Sequence, residues 1–147
     1  MLVAGLFASG CGGGDAPSKA EFGASADKVC KDAEHALTGI QKPKSAADAA
    51  QAVDKVIDAT QGSLDDLKDL DRPDGAAGDA ADKFIASQES EIQKGIPALE
   101  KLRDALKSKD QQAMVKAEAE LRAIDTTDAK ALARAAGAKG CDRKSVV

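Results

Sequence analysis

Apolar residues recur every three or four positions from Phe22 onward: Phe22, Ala26, Val29, Ala33, Leu37 and Ile40. That spacing places them on one stripe of an α-helix and predicts a first helix over Ser18–Gly39. Ser18-Lys19-Ala20-Glu21, just after Pro17, reads as a capping box. In such a box the Ser hydroxyl and the Glu carboxylate accept from two N–H groups that the first turn leaves free. The stripe breaks at Pro43, and Ser45 with Asp48 marks a second helix. It carries Ala49, Val53, Val56, Ile57, Thr60, Leu64, Leu67 and Leu70 in register. The turn Asp71–Gly75 closes it, because Pro73 and Gly75 are turn formers.

A third helix is predicted from Ala76 to Lys107, with Ala81, Ile85, Gln88, Ile92, Ile96, Leu99, Leu102 and Leu106 on one face. Pro97 lies inside it. Its missing N–H and its clash with the preceding turn, helped by Gly95, predict a kink there. Gln88 is the polar intrusion in this stripe. It specifies helix register, satisfies a buried partner, or faces a cavity beside the kink. Ser108–Asp110 is a short connection to a fourth helix with Met114, Ala117, Leu121 and Ile124 on one side. Asp125–Asp128 interrupts that helix, since Asp and Thr favour caps over helix interiors. Ala129–Ala136 is a last helical piece, stopped by a left-handed Gly137. The pattern predicts an all-α fold: an antiparallel four-helix bundle with a kinked third helix and a short C-terminal helix, one domain over residues 18–147.

Composition sharpens this picture. Aromatic residues make up 2% of the 147, Phe7, Phe22 and Phe84 being all of them. The core therefore comes from Leu, Ile, Val and much Ala, the best helix former, which argues against a β-sandwich or a dinucleotide-binding sheet. Net charge is −4, and Lys is interleaved with Asp and Glu throughout. Without a concentrated basic face, no nucleic-acid partner is expected.

Candidate chemistry is sparse. His35 is the single histidine, and acid–base or metal work needs partners from other helices. Di-metal bundles use Glu-x-x-His pairs, but Asp32 stands three residues before His35, which reads as a surface or boundary residue. Asp69–Gly75 has the look of a calcium loop. Its third Asp and its Gly come one place late, however, and its twelfth position is Ala80, so it reads as an acidic turn. Ser63, Ser87 and Ser90 have no base at a suggestive spacing. The glycines after Cys11 follow no strand and read as linker rather than a phosphate loop. No catalytic residue, metal or cofactor is expected.

The N-terminal run Met1–Gly10 is apolar and then small, like the end of a signal peptide. It falls short of the roughly 20 apolar residues that span a bilayer. Ala8-Ser9-Gly10-Cys11 resembles the lipobox of bacterial lipoproteins, in which small residues precede a Cys that receives a diacylglyceryl group before cleavage just ahead of it. Ala8 stands where that family usually has Leu. No charged region precedes the apolar run, which suggests a signal that begins upstream of Met1. The resemblance implies removal of residues 1–10, acylation of Cys11, and a flexible tether over residues 11–17. Two acyl chains anchor stably where one does not, so the implied location is the outer face of the cell membrane, with the lipid bilayer as a partner.

Export implies an oxidising compartment, which makes Cys30 and Cys141 candidates for a disulfide, the remaining pair once Cys11 is acylated. A redox or metal pair is the competing reading, weakened by the absence of a CxxC motif and the single His. The segments "EFGASADKVC", "LKDLDRPDG" and "ARAAGAKGC" also resemble small secreted lipoproteins of high-GC Gram-positive bacteria. That resemblance implies a helical bundle with a Cys30–Cys141 bridge and no assigned chemistry. The expectation is a membrane-anchored, extracytoplasmic, non-catalytic interaction or binding module with an envelope protein or a small ligand as partner. The alternative is a small-ligand carrier with a cavity between the helices near Gln88, Gly95 and Pro97.

Overall fold

The computed structural model describes residues 15–142. Cys11, the apolar run before it and most of the tether lie outside the described residues. Five α-helices follow in order: α1 (Lys19–Thr38), α2 (Ala46–Lys68), α3 (Gly75–Ser108), α4 (Gln111–Arg122) and α5 (Thr127–Ala136), with a 3₁₀ turn at Lys139–Asp142.

The helix ends are written in local chemistry. At α1 the Glu21 N–H donates to the Ser18 hydroxyl, and the Ser18 N–H donates to the Glu21 carboxylate at 2.8 Å. Hydrogen bonding from the Ser18 N–H, and then from its hydroxyl, holds the Glu21 carboxyl below its ordinary pKa. Ser45 caps α2 by accepting from the Asp48 N–H at 3.1 Å, and Asp110 caps α4 by accepting from the Ala113 N–H at 3.0 Å. The break after α4 is held by Asp125, whose carboxylate accepts from the Thr127 N–H at 2.9 Å. Gly137 stops α5 with φ +88°, a conformation in which glycine has no Cβ to strain. α3 continues without interruption through Pro97. Pro97 is exposed, and so is Gln93, whose carbonyl the missing N–H would have met.

α3 is the central helix and packs on α2, α4 and α5. Ion pairs Lys68–Glu89 and Arg103–Asp54 mark the antiparallel α2–α3 pair, and Lys101–Glu120 joins α3 to α4. The fourth position of the bundle is thus filled in two parts, α4 along one half of α3 and α5 along the other. α1 packs on α2 and the 3₁₀ turn, with slight contacts to α3 and α5 and none to α4. The disulfide Cys30–Cys141 spans a Cα–Cα distance of 5.4 Å and fastens the 3₁₀ turn to α1. Beside it the Gly140 N–H donates to the Asp27 carboxylate at 2.6 Å.

This arrangement divides the core. One cluster joins Phe22 and Ala26 of α1, Leu67 of α2, Ala81, Phe84 and Ile85 of α3, Ala133 and Ala136 of α5, and Ala138. Phe22 and Phe84 are its fully buried large side chains. A smaller cluster at the other end holds Val53, Ile57 and Leu99, with Leu102, Leu106 and Leu121 packed against it.

Small residues set the close approach of α1 to the end of α5. A Cβ on Gly23 would lie 2.5 Å from the Gly137 carbonyl oxygen, whereas a Cβ on Gly62 meets nothing within 4 Å. Gly23→Ala should therefore destabilise by about 1–3 kcal/mol through overpacking against backbone. Gly62→Ala, on the exposed side of α2, should stabilise by about 0.5–1 kcal/mol. Urea denaturation of the two variants checks this, and a shared sign would sink the account of the α1–α5 approach.

Candidate functional site

Between the two core clusters the helices part. The lower half of α1 has no α4 to lean on, and α4 ends at Arg122 before α5 begins. The result is a cleft of about 190 Å³ bounded by α1, α2, α3 and the α4–α5 break. Cys30, Ala33 and Leu37 line it from α1, Val56, Ala59 and Leu67 from α2, and Ile92, Ile96 and Leu99 from α3. Ile124 closes it beyond α4, and the Cys30–Cys141 disulfide forms part of the rim.

The cleft explains the exposure of two stripes. On α1, Phe22 and Ala26 are buried while Val29, Ala33 and Leu37 are half-buried; on α3, Gln88, Ile92 and Ile96 are half-buried between buried Ile85 and Leu99. Of the half-buried side chains, all but Val29, which packs against the first core cluster, line the opening.

Polar groups sit within this apolar wall at a few points: Gln88 and Glu91 on α3, Thr60 and Ser63 on α2, Glu34 on α1 and Thr126 at the break. The Ser63 hydroxyl donates to the Thr60 carbonyl at 2.9 Å, so its oxygen lone pairs stay free to accept. Glu91 carries the informative titration. Burial raises its carboxyl above the ordinary value, Lys94 pulls it back down, Asp125 adds to the rise and Lys130 opposes it.

A carboxyl raised in the folded state is easier to accommodate when protonated. Its contribution favours folding below the unfolded-state pKa and turns against folding as pH rises through the folded-state value. Glu91→Gln should therefore raise the melting temperature at pH 7 and leave it nearly unchanged near pH 3. Thermal melts at the two pH values test this, and equal shifts at both would mean that burial of the charge is not what the residue costs.

Of the residues singled out in the sequence, Gln88 and Gly95 both line the cleft. Gln88 thus faces a cavity. Pro97 lies on the outer side of α3 and is not part of the wall. Cys30 and Cys141 meet at the rim as a disulfide, and Cys11 lies outside the described residues. His35 is exposed on α1. Among the described residues, no three His, Cys, Asp or Glu side chains converge as metal ligands, and no helix is long and apolar enough to cross a membrane.

The Asp69–Gly75 turn is organised by a residue the sequence does not advertise. Arg72 donates to the Leu70 carbonyl in the turn and, at 3.2 Å, to the Lys68 carbonyl, an acceptor that the end of α2 leaves free. It also pairs with Asp82 of α3 at 3.0 Å and lies over the Phe22 ring at 6.0 Å. Glu34 and Glu91 were likewise missed in the sequence. A signal for Glu91 was present: it follows Gln88 by three positions, so the polar break in the α3 stripe is two residues deep.

A scan against protein-family models and searches of curated proteins and solved structures found no match.

Proposed function

We propose that this chain is a non-catalytic binding module, tethered through a lipid on Cys11 to the outer face of the cell membrane, and that the cleft is its binding element. The observation that carries the binding half of this reading is the cleft itself: an apolar concavity with a few placed polar groups, the usual layout of a ligand site. At about 190 Å³ it is smaller than the roughly 300–1,000 Å³ of drug-sized pockets. An engineered cavity of about 150 Å³ holds benzene, so a ligand portion of that size fits. The lipid half rests on the resemblance of Ala8-Ser9-Gly10-Cys11 to a lipobox.

The two halves are tested separately. Toluene, titrated into the labelled protein, should shift the backbone amide resonances around Ile92, Gly95 and Ile124 in a saturable way. No shift there at saturating toluene removes the cleft from the reading. For the anchor, intact mass of the protein made in a high-GC Gram-positive host should show a mature N-terminus at Cys11 carrying a diacylglyceryl group. An unmodified Cys11 removes the membrane from it.

A further inference from the structure

We propose that the cleft selects a small primary amine carried on an apolar tail, and rejects a carboxylate of the same length. This rests on the reading of the cleft as a ligand site and names the class of ligand it takes.

Charge decides the selection. Two charged side chains line the cleft, Glu34 on α1 and Glu91 on α3, and both are acidic; no Lys or Arg is among the lining residues. A fatty-acid headgroup would meet two like charges in the lining, with Lys94 and Lys130 acting on Glu91 from outside it, and like charges at an interface suppress the wrong partner. An ammonium group supplies three donors, and its hydrogen bonds to carboxylates are charge-assisted and short. Glu91 lacks such a donor: burial is the leading influence on it, and the Lys94 and Lys130 charges act on it without a hydrogen bond. The neutral acceptors Gln88 and Ser63 are available to the remaining ammonium protons.

The lining also sorts amines among themselves. Recognition of quaternary ammonium groups uses aromatic faces, and both described phenylalanines are committed to the packed cluster, away from this wall. The cleft therefore favours a primary ammonium, which hydrogen-bonds, over a trimethylated one, which does not. The available space, at about 30 Å³ per water-sized group, suits a tail of roughly six atoms.

Hexylammonium, hexanoate and hexyltrimethylammonium, each titrated into the full chain and followed by amide chemical shifts, provide the test. Hexylammonium should bind about tenfold or more tightly than either other probe, the factor that one charged hydrogen bond supplies. Glu91→Gln should reduce that preference to within about threefold while leaving toluene binding intact. Gly95→Leu, which grows a side chain from the wall toward Ile124, should abolish binding of every probe with helix content unchanged. Equal affinity for hexylammonium and hexanoate overturns the charge selection and leaves the cleft as a ligand site. Toluene binding without any hexylammonium binding also overturns it. Failure of every probe, toluene included, overturns both.

Discussion

Cys30→Ser is expected to lower the free energy of unfolding by about 4–5 kcal/mol, the chain-entropy value for a loop of this length. The disulfide joins residues 111 positions apart in sequence, so its loss frees almost the whole domain in the unfolded state. That is a large share of the roughly 5–15 kcal/mol that holds a typical domain. Here the core is thin: among the described residues, Ala supplies more than half of the buried apolar positions, and Phe22 and Phe84 alone are large, fully buried side chains. Cys141→Ser should cost the same within error, and the double variant no more than either, because all three remove one cross-link. Guanidinium denaturation curves of the three variants check it. A loss under about 1 kcal/mol for the single variants would show that the cross-link restrains little in the unfolded chain.

Phe84→Ala should cost about 3–5 kcal/mol, whereas Ile92→Ala, about two turns further along α3, should cost about 1 kcal/mol, part of the burial value of such a side chain. Phe84 is enclosed by residues from four elements. Ile92 is half-buried at the cleft wall, and truncating it enlarges an opening already present instead of creating a void. Measured by the same denaturation assay, comparable losses for the two would mean that the cleft is closed in solution. The functional reading would then lose its site.

Much of the fold was legible because its signals are local. The capping box at Ser18, the Ser45 cap and the interruption at Asp125–Asp128 depend on backbone groups within four residues of the side chain that satisfies them, and the stop at Gly137 depends on that residue's own left-handed backbone. The apolar stripes identified the faces that turn inward. The pairing of Cys30 with Cys141 was implied by resemblance, and the structure holds it. Part of the candidate site was also legible, since Gln88 and Gly95 both stand on the cleft wall.

Other features could not be read along the chain. Pro97 drew attention as a backbone anomaly, yet it faces outward, since the side of α3 that meets α2 and α4 is set by the whole stripe. Arg72 looked like one charge in an acidic turn. Its role depends on carbonyls at the end of α2, on Asp82 of α3 and on the Phe22 ring, which only the fold brings within reach. Glu34 and Glu91 lie 57 positions apart and share a cleft because α1 and α3 diverge around it.

By itself the sequence determined where helices begin and end, which side of each is apolar, and that four stripes must be buried together, because capping and periodicity act within a turn or two of the chain. Only the tertiary structure decided that α4 and α5 divide the fourth position between them, leaving α1 packed on α2 but with no contact to α4. That gap is a property of how helix lengths match in space. It turns stripes that look alike in sequence into a packed core at one end and an open cleft, with two carboxylates in its wall, beside it.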